Sequence, residues 1–230
     1  MQYQLELGEQ TGHGGRRPGA GRKRGDRRRV VHRRRDSFRN GSLHVTSRVA
    51  VGVPSLRRAS IIRAIESSLR RGCERADFRV VHYSIQRDHV HWLVEANDPD
   101  ALGRGMRSVL IRVAKAVNGT LGRRGPVFHL RYHAVPIQGP RQARACIAYV
   151  LNNARKHHLA RRAGPDDLDP ASSARWFSGW TRPVAPPLDA PAVARPRYWL
   201  FRQAWLRHGG IDPAEVPSAA DARLAALMER

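Results

Sequence analysis

The stretch of chain that most constrains the fold is a pair of short segments near its middle. Residues 78–85 and 89–95 are rich in β-branched and aromatic side chains, with three polar residues between them. Two such runs joined by a short polar connection predict a β-hairpin. Successive side chains of a strand point to opposite faces of the sheet. His89 and His91 are therefore expected on one face of the second strand.

These two histidines form a candidate metal site. Two imidazoles side by side on a rigid strand, with Val90, Trp92 and Val94 on the opposite face, can bind one divalent cation as a pair. The chain contains 11 histidines, so a His-x-His pair also arises by chance. The pair identifies a metal site only in combination with other parts of the chain.

The other regular elements follow from apolar periodicity, from prolines at helix starts and from glycines at turns. Strands are predicted at 43–49, 78–85, 89–95 and 127–137, and helices at 54–72, 98–121 and 142–158. The order is the ferredoxin-like βαββαβ arrangement, an α+β fold with an antiparallel sheet, followed by an appended helix. In that arrangement the histidine strand lies near the centre of the sheet, within reach of the appended helix.

The appended helix contains the second candidate group. Its apolar residues form one stripe with helical spacing: Ala143, Cys146, Ile147, Val150, Leu151 and Ala154. Tyr149 and Asn153 lie outside the stripe, four residues apart, and are therefore stacked on one side of the helix. A nucleophile and a metal ligand could be presented together in this way.

The charge of the chain predicts a polyanionic partner. There are 42 Lys and Arg against 19 Asp and Glu, a net charge of +23, and the pI is near 11.7. Residues 14–35 hold eleven basic residues and one acidic residue. Subtracting the +10 of this arm from +23 leaves +13 on the rest of the chain. Nucleic acid is the expected partner of both parts.

Two groups of basic residues are candidate DNA contacts. In the arm, which is expected to be disordered, Arg16, Arg17, Arg22 and Lys23 resemble an AT-hook in which Arg16 replaces the core glycine. We interpret the arm first as a nonspecific phosphate-binding segment and second as a minor-groove reader. On the second helix the candidates are Arg104, Arg107, Arg112 and Lys115. The alternative for this helix is an ordinary solvated face.

The predicted organisation is a disordered basic arm at 1–40, a folded domain at 41–163 and a Pro- and Ala-rich extension at 164–230. Aromatic clusters in the extension could pack on the domain or stack on unpaired bases. Cys73 and Cys146 are too far apart in sequence for a zinc knuckle or a disulfide framework. The sequence shows neither a signal peptide nor a membrane-length apolar stretch. We therefore expect a cytoplasmic, nucleoid-associated protein with no membrane partner.

Together, the two motifs resemble those of a known family. His89-Val90-His91 matches the His-hydrophobe-His signature of HUH endonucleases, and residues 149–153, Tyr-Val-Leu-Asn-Asn, are similar to the Tyr-x-x-x-Asn-Pro helix of single-tyrosine HUH transposases. The resemblance is to the branch associated with repetitive extragenic palindromes, a relative of the single-strand insertion-sequence transposases. It spans residues 43–158. Ala154 stands where the family often has proline, and a regular helix is expected there.

The resemblance implies a role for each of these residues. His89, His91 and Asn153 would be metal ligands, and Tyr149 would be the nucleophile. The metal would be Mg²⁺ or Mn²⁺, and no nucleotide cofactor would be needed. Lys156, or a water molecule on the cation, could assist deprotonation of the phenol; the alternative role of Lys156 is a charge at a helix C-terminus.

The implied activity is cleavage and rejoining of single-stranded DNA, folded into a hairpin or palindromic repeat, through a 5′-phosphotyrosine intermediate. A monomer is favoured and a dimer is possible. Tyr83, on the strand beside the histidines, is the rival nucleophile. Three other functions stay open: a catalytically silent DNA-binding protein on the same fold, an RNA-binding module, and a zinc hydrolase.

Overall fold

The fold is built on one five-stranded antiparallel sheet. The computed structural model describes residues 37–129, 131–156, 168–185 and 187–217, and of Lys156 only the backbone. The strands are β1 Gly41–Arg48, β2 Glu74–Arg75, β3 Phe78–Ile85, β4 His89–Ala96 and β5 His133–Pro136. They lie in the order β2-β3-β4-β1-β5. Apart from the two-residue edge strand β2, this is the ferredoxin-like order, so the predicted α+β class is confirmed and β4 lies at the centre.

The helices occupy both faces of this sheet. They are α1 Ala59–Arg70, α2 Pro99–Leu121, α3 Pro140–Leu151, α4 Asn153–Lys156 and α5 Trp199–Arg202, with 3-10 helices at Ser173–Trp176 and Ala204–His208. Helix α2 begins where Asp98 accepts a hydrogen bond from the Ala101 N–H at 2.7 Å and ends at Gly122 in the left-handed conformation. No helix in the described part of the chain is both long and apolar enough to cross a membrane.

Strand alternation divides the side chains between two cores. Val45, Val90 and Trp92 pack with α1 and α2 on one face of the sheet. Leu93, which alternates with them on β4, packs with α3 on the other face. His89 and His91 share the side of Leu93, because they differ from it by an even number of residues. The histidine pair therefore faces α3 and not the two helices of the ferredoxin-like motif.

Helix α1 begins later than predicted. It starts at Ala59 and not at Pro54, because the preceding residues make other hydrogen bonds. The Leu56 N–H donates to the Arg87 carbonyl at 3.0 Å. The Arg57 guanidinium forms two hydrogen bonds to Asp169, at 2.7 and 3.0 Å. These bonds hold the segment beside the β3–β4 connection instead of in a helical turn.

The last predicted strand, at 127–137, is wrong over its first half. Only His133–Pro136 forms β5, which pairs with β1 from Leu43 to Thr46. Upstream of β5, the His129 N–H donates to the Arg48 carbonyl and Phe128 forms an isolated bridge with Val49. Residues 131 and 132 between these two pairings belong to no strand, so the ladder is not continuous.

The C-terminal segment, residues 168–185 and 187–217, packs on the sheet. The Ile85 N–H donates to the Ala171 carbonyl at 2.8 Å, so this segment covers part of the edge of β3. The fully buried Glu95 carboxylate accepts hydrogen bonds from the backbone of Arg197 and Tyr198 and from the guanidinium of Arg79. Four aromatic residues of this segment pack in the same cluster as α3: Phe177, Trp180, Phe201 and Trp205.

Candidate active site

The two histidines of β4 point at each other. The Nε2 atoms of His89 and His91 lie 3.0 Å apart, and the ring planes are nearly perpendicular. His91 is fully buried, whereas 20% of the His89 side chain is exposed. Two ligand atoms bound at right angles to one cation, each about 2.1 Å from it, are about 3.0 Å apart. The spacing of the two ring nitrogens therefore fits a shared divalent cation.

Asp88 orients the His89 ring. The Nδ1 atom of His89 lies 2.8 Å from Oδ1 of Asp88. This hydrogen bond is the main reason that the pKa of the Asp88 carboxyl is lowered, so the group is ionised and can only accept. His89 Nδ1 is then the donor. When the ring is neutral, its lone pair is on Nε2, toward His91.

Two residues of β1 lie behind His91. Its Nδ1 atom is 3.0 Å from Nε2 of His44 and 3.3 Å from Oγ1 of Thr46. Burial, and then the charges of His133 and His89, lower the pKa of His44 to about 3, so this ring is neutral at physiological pH. His44 and Thr46 were not candidates from sequence. The signal was present, because β1 is the neighbour of the histidine strand in a ferredoxin-like sheet and these residues alternate on it.

Tyr149 lies against the histidines. Its ring centroid is 5.4 Å from that of His91 and 6.2 Å from that of His44, in both cases edge to face. Only 2% of its surface is exposed. Helix α3 packs on the sheet face that contains the histidines, and this brings a residue from late in the chain to the middle of the sheet.

Asn153 follows a break in the helix. The predicted regular helix at 142–158 is wrong at Asn152, where α3 has ended and α4 has not begun. Asn152 has φ −102° and ψ 15°, and its side chain donates to the Asp212 carbonyl at 3.1 Å. The Arg155 guanidinium donates to the Pro213 carbonyl at 2.8 Å. The C-terminal segment thus stabilises the break just before the amide residue.

The Asn153 side chain has no hydrogen-bond partner in the described part of the chain. It is fully buried, and neither its Oδ1 nor its Nδ2 atom has a partner among the residues that the structure describes. An unpaired buried amide costs about 1 to 3 kcal/mol. A cation would satisfy the oxygen, so the buried Oδ1 atom is consistent with the ligand role predicted for Asn153, although the helix break separates it from Tyr149.

Together, these residues offer two imidazole nitrogens and one amide oxygen. No group of three or more His, Cys, Asp or Glu side chains within the described ranges is arranged to hold a metal ion. The candidate donors are the Nε2 atoms of His89 and His91, which lie 3.0 Å apart, and the buried Oδ1 atom of Asn153. Nitrogen and neutral oxygen donors of this kind suit Mn²⁺ and also accommodate Mg²⁺.

The unpaired amide leads to a prediction about stability. We expect Asn153→Leu, which replaces the amide by an apolar group of similar size, to stabilise the metal-free protein by about 1 to 3 kcal/mol. The measurement is urea unfolding in the presence of EDTA. The matched control is Asn152→Leu, which loses the hydrogen bond to Asp212 and should be destabilised by about 1 kcal/mol. Destabilisation of both variants would contradict an unpaired Asn153.

Tyr83, the rival nucleophile, lies on the other face of the sheet. It is in the α1–α2 core and donates to the Glu66 carboxylate at 2.8 Å. Burial, and then the charge of Glu66, raise the pKa of its phenol. The β4 partner of Tyr83 in the register is Trp92, whose side chain points away from the histidines. Tyr83 is therefore separated from the histidine pair by the sheet.

The predicted DNA contacts on helix α2 do not lie beside the histidines. Helix α2, with Arg104, Arg107, Arg112 and Lys115, is in the layer on the face opposite the histidines. Arg104 is paired with Asp77 at 2.7 Å, and Arg112 and Lys115 line a cavity of about 300 Å³ with Arg71. The arm residues Arg16, Arg17, Arg22 and Lys23 and the side chain of Lys156 are outside the described part of the chain.

Other basic groups lie beside the histidines and were missed from sequence. Arg48 is directly opposite His89 in the register of β1 and β4, and His133 is opposite Thr46 in that of β1 and β5. Paired residues of an antiparallel ladder share one face. Arg48 is exposed and His133 is half-buried. These side chains were overlooked because the strand pairing that places them is not a local property of the sequence.

No protein-family model matches the chain, and no curated protein sequence matches it. Among solved structures, the chain is similar to a REP-associated tyrosine transposase bound to a REP hairpin, with 16% identity and a TM-score of 0.44. That match covers 57% of this chain and 77% of the other. At this identity and TM-score, the similarity assigns no function to the chain.

Proposed function

We propose that this protein is a metal-dependent DNA strand transferase that cleaves and rejoins single-stranded DNA through Tyr149. The observation that supports the proposal is the meeting of two distant segments. Tyr149 comes from a late helix and lies 5.4 Å, ring to ring, from His91 of the central strand. The buried amide of Asn153, which has no partner among the described residues, follows Tyr149 by four residues, across the helix break. A nucleophile beside a set of metal donors is what phosphodiester cleavage needs.

The proposed reaction is an exchange of phosphodiester partners. The Tyr149 phenol oxygen attacks phosphorus, the bond from phosphorus to the 3′ oxygen breaks, and the DNA leaves with a free 3′-OH. The products are a 5′-phosphotyrosine and that hydroxyl, which takes up a proton from solvent. In rejoining, a 3′-OH attacks the same phosphorus and releases the phenol. Because the phosphotyrosine conserves the bond energy, no nucleotide cofactor is required.

The metal would be held by His89, His91 and Asn153. When bound, Mg²⁺ or Mn²⁺ offsets the negative charge that develops on the phosphate oxygens. The chain itself orients the donors, since Asp88 fixes the His89 ring through the 2.8 Å hydrogen bond. It also holds the Tyr149 ring edge to face against His91, which limits the positions of the phenol oxygen.

The phenol must lose its proton as it attacks. The reference pKa of tyrosine is about 10, so a base or a nearby cation is required. We propose Lys156, three residues after Asn153, as the candidate for this assistance. Its neutral amine would take the proton, and its ammonium form would stabilise the phenolate.

The proposed substrate is single-stranded DNA that folds into a hairpin, and it is recognised mainly through its phosphates. The net charge of +23 favours a polyanion, and Arg48 lies beside His89 on the sheet. The hairpin preference comes from the resemblance of the two motifs to the palindrome-associated transposases. Phosphate contacts of this kind give an affinity that falls steeply with salt.

A second candidate function is DNA binding without turnover. The observation that favours it is the burial of the reacting groups, with Tyr149 2% exposed and His91 and Asn153 fully buried. A phosphate can reach the phenol only if part of the site opens. A protein whose site could no longer open in this way would still bind DNA through its positive charge.

The adduct assay separates the two functions. Labelled hairpin DNA is incubated with the protein in Mn²⁺ or Mg²⁺ and resolved on a denaturing gel. We expect a covalent protein–DNA band that EDTA abolishes and that added metal restores. Binding of the hairpin in a native gel with no covalent band at any metal concentration would support the non-cleaving function.

A further inference from the structure

His91 receives support from a strand that contains none of the proposed ligands. Thr46 of β1 is directly opposite His91 in the ladder, and His44 lies two residues before it on the same face. All three side chains are buried. The rings of His44 and His91 are stacked, with centroids 5.0 Å apart and an angle of 29° between their planes. The side of the His91 ring away from His89 is thus held by β1.

A metal-binding imidazole needs an acceptor on its other nitrogen. If His91 gives its Nε2 lone pair to a cation, its proton is on Nδ1, and a buried N–H requires a hydrogen-bond partner. Nε2 of His44 lies 3.0 Å from that nitrogen, and Oγ1 of Thr46 lies 3.3 Å from it. Of these two, the imidazole nitrogen is both nearer and the stronger base.

We propose that His44 is a positioning residue of the metal site, whose Nε2 accepts the Nδ1–H of His91 and keeps the Nε2 lone pair of His91 toward the cation. The proposal rests on the proposed function, because it needs His91 to be a ligand. Thr46 is the weaker acceptor of the same proton.

The two ligands would then be oriented by different means. His89 is held by Asp88, whose side chain is 83% exposed, so this hydrogen bond competes with water. His91 is held by His44 in a position that excludes water, with 2% of His44 exposed. Water can replace Asp88 as the exposed partner of His89, but it cannot reach the buried Nδ1–H of His91. The loss of His44 should therefore affect metal binding more than the loss of Asp88.

Metal affinity is the first test. His44→Phe fills the site with a ring that has no acceptor, and His44→Gln offers an amide oxygen at about the position of Nε2. We expect His44→Phe to weaken Mn²⁺ binding, measured by titration calorimetry without DNA, by about tenfold or more. His44→Gln should stay within about threefold of the wild type.

A matched variant controls for the loss of a buried histidine. His82 is on β3, points to the same face of the sheet and is also buried, with a pKa lowered to about 4 by burial. It contacts Ser173 and Phe177 and has no hydrogen bond to His89 or His91. His82→Phe should therefore leave the Mn²⁺ affinity unchanged.

The tautomer of His91 is the second test and needs no variant of His44. In wild-type protein with ¹⁵N-labelled histidine and Zn²⁺ as a diamagnetic probe, the His91 ring should carry its proton on Nδ1. A metal-loaded protein with His91 protonated on Nε2 would overturn the proposal, even if His44→Phe fails to fold.

The outcomes separate this proposal from the function on which it rests. Mn²⁺ binding that is lost in His91→Ala but unchanged in folded His44→Phe overturns the role of His44 and leaves the metal centre intact. Wild-type protein that does not bind Mn²⁺, or that binds it equally in His91→Ala, overturns the metal centre and the role of His44 with it. An Mn²⁺ affinity that is lower in His44→Phe, but close to that of the wild type in His44→Gln and His82→Phe, supports both the metal centre and the role of His44.

Discussion

Tyr149→Phe is expected to abolish the covalent protein–DNA adduct, with a loss of about 10⁴-fold or more, because it removes the proposed nucleophile. Phenylalanine keeps the aromatic ring that packs edge to face against His91 and His44. The variant should therefore fold normally and retain metal and DNA binding. The measurement is the yield of labelled adduct on a denaturing gel in Mn²⁺, compared with hairpin affinity in a native gel.

The control for this prediction is the other buried tyrosine. Tyr83→Phe loses the hydrogen bond to Glu66 on the opposite face of the sheet, so it should cost about 1 to 3 kcal/mol of stability. Its adduct yield should equal that of the wild type under conditions where both are folded. An adduct that persists in Tyr149→Phe but is absent in Tyr83→Phe would contradict the account and move the nucleophile to the α1–α2 face.

His91→Ala is expected to eliminate Mn²⁺ binding and to reduce cleavage by more than about 100-fold. This loss is larger than the one expected for a residue that only hydrogen-bonds to a metal ligand. His91 is the fully buried member of the pair, and its Nε2 lies 3.0 Å from that of His89. Removing it leaves at most two donors. The measurements are Mn²⁺ titration calorimetry and adduct yield over a range of metal concentrations.

DNA affinity provides the control for His91→Ala. In the proposed function the phosphates are bound by arginine and lysine side chains and not by the histidine pair, so hairpin affinity at fixed salt should change by less than about threefold. His82→Ala removes a buried histidine from the same sheet face and should keep both metal binding and cleavage. Full cleavage by folded His91→Ala would exclude this residue as a ligand.

Much of the fold was accessible from the sequence because its signals are local. The hairpin at 78–95 shows as two runs of β-branched and aromatic residues around a short polar connection, and Asp98 and Gly122 delimit the second helix as a cap and a left-handed turn. Tyr149 and Asn153 were singled out by their spacing on a helix. The apolar side of β4, with Val90 and Trp92, also indicates that the histidines face away from α1 and α2.

The remaining features depend on contacts between distant segments. The helix break at Asn152 is associated with hydrogen bonds from Asn152 to Asp212 and from Arg155 to Pro213, which span 60 and 58 residues of the chain. The fold class and the alternation of His44 and Thr46 on β1 point to the histidine strand, but their exact placement against His91 depends on the register of β1 and β4, which no local pattern specifies. The basic residues of α2 were identified by charge alone, and charge does not show on which side of the sheet a helix packs.

The most direct test of the central claim is the position of a bound metal. A crystal of the protein grown with Mn²⁺ should give one anomalous peak, about 2.1 to 2.3 Å from Nε2 of His89, Nε2 of His91 and Oδ1 of Asn153, with the Tyr149 hydroxyl beside it. A saturating Mn²⁺ concentration that gives no peak between the two histidines, or a peak there that Asn153 and Tyr149 do not approach, would contradict the account.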